Sequence, residues 1–209
     1  MSLNYDLGIV GGGPAGYTAA LYAAKRGLSI VLFEKDCVGG VCLNKGCIPT
    51  KAILHSAEVF EELKCAENIG ILVPEMKVDF PKVMERKNTI VSKLRKSLEL
   101  VLKNSKVTVI NKFAQITDKN TIIADNKTYE CKKIICATGS APKTFKGMEF
   151  DHEKVLSSDD ILNLTELPNS LVIVGSGAIG IEWARIMAAF DVNVTVVEAA
   201  ENLLPITFL

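Results

Sequence analysis

No run of apolar residues in this 209-residue chain is long enough to span a bilayer. Neither sign of charge is in excess, with 24 Lys plus Arg against 24 Asp plus Glu. That balance excludes a nucleic-acid binder or an anionic-membrane binder recognised by bulk charge, so neither is an expected partner. The N-terminus lacks a basic segment running into an apolar one, which sets the expectation of a cytoplasmic, reducing location. Metal-site spacing is also missing. Of the six cysteines, Cys37, Cys65, Cys131 and Cys136 read as small buried or incidental residues, and the only histidines are His55 and His152. What is present is a composition 48% hydrophobic and 23% charged, ample for one large core or two modest ones.

The opening pattern is strand, glycine turn, helix, strand. Tyr5 to Val10 is a short apolar strand, followed by Gly11-Gly12-Gly13-Pro14-Ala15-Gly16 and an alanine-rich helix to about Arg26, stopped by Gly27. Ser29 to Phe33 is a second strand ending at Glu34, and parallel strands of this kind need the crossover helix. Pro49 suits the first turn of a helix to about Cys65. A further helix, about Pro81 to Lys103, places Val83, Ile90, Leu94, Leu98 and Val101 on one stripe. From Lys106 the period becomes two. Val107–Ile110, Phe113–Ile116, Thr121–Ile123 and Lys127–Glu130 read as short strands, and Lys133–Cys136 as another. The stretch from Ala141 to Asn169 reads as a connection with one short helix near Ser157 to Leu162.

The opening pattern then returns. Leu171 to Val174 is a strand, Gly175-Ser176-Gly177-Ala178-Ile179-Gly180 the turn, Ile181 to Phe190 a helix, and Asn193 to Val197 a strand ending at Glu198. In both copies the acid lies 23 positions after the first glycine, 34 − 11 and 198 − 175. Each copy suits a dinucleotide. The first glycine permits the tight turn, Gly13 or Gly177 admits the pyrophosphate, and Gly16 or Gly180 lets the helix pack close to its strand. The helix N-terminus offers N–H groups and positive charge to the phosphates, and Glu34 or Glu198 can accept from ribose hydroxyls. A carboxylate at 198 with Ala199 and Ala200 after it repels a 2′-phosphate, so the second site is expected to prefer NAD over NADP.

Between the copies, Gly39-Gly40-Val41-Cys42-Leu43-Asn44-Lys45-Gly46-Cys47-Ile48-Pro49-Thr50-Lys51 reads as a loop that carries two cysteines five positions apart. A thiol pair can hold two electrons, and a neighbouring dinucleotide can accept or donate them. The competing readings of the pair are two reduced cysteines without a joint role, or half of a zinc site. A helix starting just after Cys47 favours the thiolate form there.

This segment closely resembles the redox-active segment of the flavin-dependent pyridine nucleotide–disulfide oxidoreductases. Within that family it is most similar to the branch that oxidises dihydrolipoamide, whose pattern is G-G-T-C-L-N-x-G-C-I-P-S-K. The resemblance implies an α/β fold. By the resemblance, residues 1–145 are expected to be an FAD-binding Rossmann-like domain, a parallel sheet plus antiparallel meander. Residues 146–209 are likewise expected to be the start of a second, NAD-binding Rossmann-like domain. It implies a reducible Cys42–Cys47 disulfide, with Cys47 nearer the flavin and Cys42 exchanging with the substrate, and a Lys51–Glu182 pair near the flavin. FAD contacts fall by position on Gly11, Gly13, Pro14, Ala15, Gly16, Glu34, Lys35, Gly40, Val41, Cys42, Lys51, Ala114, Ala137, Thr138, Gly139 and Ser140. NAD contacts fall on Gly175, Gly177, Ala178, Ile179, Gly180, Glu182 and Glu198. Val41 stands where the family has threonine, and Ala114 where it has glycine.

The expected reaction is oxidation of dihydrolipoamide through the thiol pair and FAD to NAD+. The expected partner is a lipoyl-bearing protein of a 2-oxo-acid dehydrogenase or glycine-cleavage complex, and the full-length form is a homodimer. The family's protomer is longer. The expectation is therefore an N-terminal portion without the dimerisation domain and its His–Glu base, although Asn202-Leu203-Leu204-Pro205 still follows the family pattern. An NADPH-dependent reductase of glutathione or mercuric type, and an inactive flavin-binding fragment, are the alternatives.

Overall fold

The fully apolar run Ile30-Val31-Leu32-Phe33 places a strand that is covered on both faces, as parallel sheets require, and all four residues are buried. The computed structural model describes residues 3–204, so Pro205 of the family-like stretch lies outside the described residues. The chain forms two compact units. One holds the residues up to Ile48 together with Val91–Lys143, the other Pro49–Ile90 together with the residues from Thr144 on. These units cut the chain differently from the nucleotide-based division at 145/146, because 49–90 gather with the second glycine repeat.

The first unit is built on a six-stranded sheet. Its strands are β1 (Leu3–Val10), β2 (Ile30–Phe33), β3 (Thr108–Ile110), β4 (Ala114–Asp118), β5 (Thr121–Ala124) and β6 (Lys127–Cys136), in the order β3-β2-β1-β6-β5-β4. β3, β2, β1 and β6 run parallel, while β5 and β4 add the antiparallel meander. Helix α1 (Pro14–Ala24) makes the crossover from β1 to β2 and turns Gly16, Ala20 and Ala23 inward, small residues that bring it close to the sheet. Alternation along β2 feeds both faces. Ile30 and Leu32 pack with Leu7, Ile9, Ala20 and Leu102, whereas Val31 and Phe33 pack with Val10, Ile122 and Tyr129. The Phe33 and Tyr129 rings meet edge to face with centroids 4.9 Å apart. Each fully buried Ile, Leu or Phe here contributes roughly 1.5–3 kcal/mol.

Two expectations are corrected in this unit. Lys127–Glu130 and Lys133–Cys136 are one strand, β6, because β1 pairs along it from Leu3↔Tyr129 to Val10↔Cys136, and the intervening Lys132 is tied to Asp6 at 2.7 Å. The cysteine segment is not a loop. It contains a short helix α2 (Gly40–Lys45) and the start of helix α3 (Cys47–Lys64), separated by Gly46 alone.

In the second unit, strands β7 (Ser170–Val174) and β8 (Asn193–Val197) pair in parallel, joined by helix α5 (Ala178–Ala189). Trp183, Ile186 and Met187 of α5 pack with Ile53 and Ala57 of α3 and with Phe80 and Met84 of helix α4 (Phe80–Asn104). Helix α5 begins three residues before the expected Ile181, since Gly177 is its N-cap and Ala178 already has helical partners. The helix expected near Ser157 to Leu162 is a single 3-10 turn, Ile161–Asn163. Here the Asp160 carboxylate accepts from the N–H and hydroxyl of Ser157 at 2.7 and 2.6 Å, an arrangement that competes with continued helix. Among the described residues no helix is long and apolar enough to cross a membrane.

Candidate active site

At the carboxyl end of β1 the chain turns at Gly11, whose φ of 106° lies in the left-handed region. A Cβ there would run into the carbonyl of Ala137 at the end of β6. The turn is pinned from both neighbours. Gly11 N–H donates to Phe33 O at 2.8 Å, and Ala137 N–H donates to Val10 O at 2.8 Å. Ala137, Thr138, Gly139 and Ser140 therefore leave the sheet beside the glycine turn, at the end of a parallel sheet where ligands bind. Helix α1 follows with Gly13 as N-cap, no capping side chain and Pro14 in its first turn. Its first N–H groups, at exposed Ala15 and buried Gly16, have no intrahelical partner, which is the donor set a phosphate takes.

The acid at the end of β2 closes the turn from the other side. Glu34 is only 9% exposed, and its Oε2 accepts from Gly12 N–H at 2.7 Å while Oε1 accepts from Asp36 N–H at 2.8 Å. The second repeat reproduces this bond for bond. Gly175 has φ 99° and donates to Val197 O at 2.8 Å. Glu198 Oε2 accepts from Ser176 N–H at 2.7 Å, and Oε1 accepts from Ala200 N–H at 2.9 Å. One bond has no counterpart in the first copy, the Ser176 hydroxyl donating to Glu198 Oε2 at 2.7 Å. The Ala200 N–H, with the hydroxyl and N–H of Ser176, holds the Glu198 carboxyl down to about 2, well below its ordinary value. Ser176 was not singled out by sequence reasoning; its place opposite Gly12 in the repeat was the available signal. Ala178 and Ile179 are exposed at the mouth of this second turn, and Gly180 packs under Gly175.

The thiol segment starts on the first glycine turn. Gly39 N–H donates to Gly12 O at 2.8 Å. Gly40, at φ 57°, sits so close that an added Cβ would come within 2.6 Å of Gly13 Cα. Cys42, half-buried, is the third residue of α2, and Cys47, exposed, is the first of α3. Val41 and Lys35 are exposed. Ala114 opens β4 with its methyl in the core beside Phe33 and Tyr129.

In the second unit Lys51, on α3, donates to Glu182 Oε1 on α5. His55 is exposed, and His152 Nδ1 lies 3.0 Å from the Asp160 carboxylate. No cluster of three or more His, Cys, Asp or Glu able to hold a metal occurs among the described residues.

Two glycine turns, each with uncapped helix donors and a pinned acid, fit two dinucleotides. The first turn also carries the thiol-bearing helix, so the class is a nucleotide-dependent dithiol–disulfide oxidoreductase. The comparisons agree. Residues 5–208 match the pyridine nucleotide-disulphide oxidoreductase family, and the chain belongs to it. Dihydrolipoyl dehydrogenase of Bacillus subtilis (strain 168) is 40% identical, over 98% of this chain and 46% of its own length. That of Acholeplasma laidlawii is 40% identical over 98% of this chain and 62% of its own. The HOCl-induced flavoprotein disulfide reductase RclA from Escherichia coli superimposes with a TM-score of 0.83 at 33% identity, over 96% of this chain and 43% of that one. The chain thus spans about half the length of the relatives it matches. Family membership implies FAD and NAD(P) as cofactors.

Proposed function

We propose that this chain is the thiol- and nucleotide-bearing part of a dihydrolipoamide-oxidising enzyme, with FAD at the first glycine turn and NAD at the second. The observation that carries this reading is the bond from Gly39 to Gly12, which starts the Cys42 helix on the turn that suits the pyrophosphate. In the oxidised form Cys42 and Cys47 are joined. A substrate thiolate attacks Cys42 Sγ, forming a mixed disulfide and releasing Cys47 as thiolate. The second substrate thiolate then displaces Cys42, so the substrate leaves as a cyclic disulfide. The substrate's two thiol protons pass to Cys42 and Cys47 together with the electron pair, leaving the protein as its dithiol. FAD, when bound, would supply the acceptor for that electron pair, and NAD+ the final one.

The chain's own groups bind and orient. The amides of Gly13, Pro14-flanked Ala15 and Gly16 hold the FAD phosphates, and Glu34 faces the ribose. Lys35, Gly40, Val41, Ala114 and Ala137 to Ser140 supply further FAD contacts. Lys51, oriented by Glu182, supplies positive charge near the flavin ring. Gly175, Gly177, Ala178, Ile179 and Gly180 hold NAD, and Glu198 excludes a 2′-phosphate. Residues 1–145 and 146–209 are divided on this basis into FAD and NAD domains. The whole protein works as a cytoplasmic homodimer on a lipoyl-bearing protein of a 2-oxo-acid dehydrogenase or glycine-cleavage complex.

The test uses the chain reconstituted with FAD and mixed anaerobically with dihydrolipoamide. Bleaching of the flavin that is lost in Cys42→Ser is the expected result. Absence of FAD binding, or bleaching that survives Cys42→Ser unchanged, refutes the proposal.

A further inference from the structure

Helix α2 carries Cys42, yet little in its own sequence holds it. Its six residues fall well short of the roughly 12–15 that an isolated helix needs. None of them is buried, and no side chain caps its N-terminus. Gly39 precedes it at φ 100°, and Gly46 ends it at φ −145°, ψ −113°.

The side chain of Asn44 supplies the missing hold. Its Nδ2 lies 3.0 Å from Gly40 O, 3.1 Å from Val38 O and 3.4 Å from Cys37 O. One amide thereby ties the helix to the turn that leads into it. That turn is held from its other side as well, where Arg95 Nη1 donates to Cys37 Sγ at 3.3 Å. The far end of the amide is a contrast. Asn44 Oδ1 is buried with no hydrogen-bond partner among the described residues. A buried acceptor without a donor is unfavourable, so this position is occupied for what Nδ2 does. Reversing the amide would set Oδ1 against three carbonyl oxygens, which fixes its orientation.

We infer that Asn44 is a positioning residue for the thiol pair, clamping the turn 37–40 to α2 and so holding Cys42 where its sulfur joins that of Cys47. The inference rests on the redox role proposed for that pair. Asn44 stands two residues after Cys42 and three before Cys47, so whatever loosens it loosens the link between the sulfurs. Holding one sulfur in place raises its effective concentration at the other, and disulfide closure is favoured in proportion.

The chain of residues 1–209 is equilibrated in mixtures of reduced and oxidised glutathione. Closing the Cys42–Cys47 bond releases two protons and two electrons, and one oxidised glutathione takes both to become two reduced molecules. After acid quenching, the fraction joined is read by mass spectrometry of the 42–47 peptide, with circular dichroism as the check on folding. Asn44→Leu keeps a branched side chain but has no donor, and Asn44→Ser keeps one short donor. The expected result is a closure constant about tenfold lower in Asn44→Leu, equivalent to about 30 mV for a two-electron couple, with Asn44→Ser between it and the unsubstituted protein. An unchanged constant in a folded variant overturns the inference. Failure of both variants to fold also overturns it, leaving Asn44 a purely structural residue. If the unsubstituted protein forms no 42–47 bond in any mixture, the redox role itself fails and takes the inference with it.

Discussion

Lys51 and Glu182 form a direct ion pair across 131 positions of sequence, the ammonium on α3 and the carboxylate on α5. The two side chains remain 53% and 34% exposed. A pair so exposed is worth only about 0–1 kcal/mol to stability, because solvent screens it and ordering two long side chains costs entropy. Lys51→Ala should therefore leave the thermal midpoint nearly unchanged. Under the proposed function it should slow flavin reduction by dihydrolipoamide at least about tenfold, as loss of a pre-placed charge does. Calorimetry and stopped-flow absorbance measure the two effects, and equal small changes in both would remove Lys51 from the site.

Gly40 and Gly13 approach so closely that a methyl group on Gly40 would meet Gly13 Cα at 2.6 Å, in a backbone conformation with φ 57°. Gly40→Ala should destabilise the chain by about 1–3 kcal/mol and abolish FAD binding. Gly27 has a similar φ of 78° but nothing within 4 Å of an added Cβ. Gly27→Ala should cost about 1 kcal/mol and spare FAD binding, as measured by fluorescence titration.

Glu198 contributes to the acid limb of stability. Its carboxyl is held at about 2 in the folded chain against an ordinary 4.5, by the Ala200 N–H first and by Ser176 second. A group depressed by folding stabilises above its unfolded value and loses that contribution as pH falls through the folded one. Glu198→Gln should flatten the pH dependence of stability between about 4.5 and 2, as seen in denaturant midpoints. Under the proposed function the same variant should also raise NADPH binding relative to NADH, because it removes the charge proposed to repel a 2′-phosphate.

Lys87 acts at the other end of the scale. It is 5% exposed, and Nζ donates to Leu162 O at 2.7 Å. Burial lowers its pKa from the usual 10.5, so the folded chain disfavours the charged form. Stability then rises with pH from the lowered folded value up to 10.5, where the unfolded chain also gives up the proton. Lys87→Met should remove that alkaline rise. Its net effect at neutral pH should be small, because the stranded Leu162 carbonyl offsets the relief of a desolvated charge. Chemical denaturation at several alkaline pH values, with the unsubstituted chain as reference, checks this.

Much of the fold and of the site is local and therefore readable along the chain. A glycine turn, its helix and its acid lie within two dozen residues, and each is dictated by backbone freedom and side-chain chemistry at short range. The same holds for the two-residue period of β4 and β5, and for the cysteine motif whose resemblance named the family. Other features depended on which distant backbones meet. Residues Cys42 to Lys45 are helical because Gly39 bonds to Gly12 and Asn44 reaches back over the turn, not through any helix-forming pattern of their own. β6 is one strand because β1 runs beside all of it, across a lysine pair that reads as a break. Ser176 joins Glu198 only once β7 and β8 lie side by side, and Lys51 meets Glu182 only once α3 and α5 pack. Sequence alone determined the turns, the nucleotide fingerprints and the thiol spacing, since those follow from neighbours along the chain. Tertiary structure decided the helix under Cys42, the continuity of β6 and the Ser176 partner of Glu198, because hydrogen bonds and ion pairs between distant segments exist only where folding brings the atoms within about 3 Å.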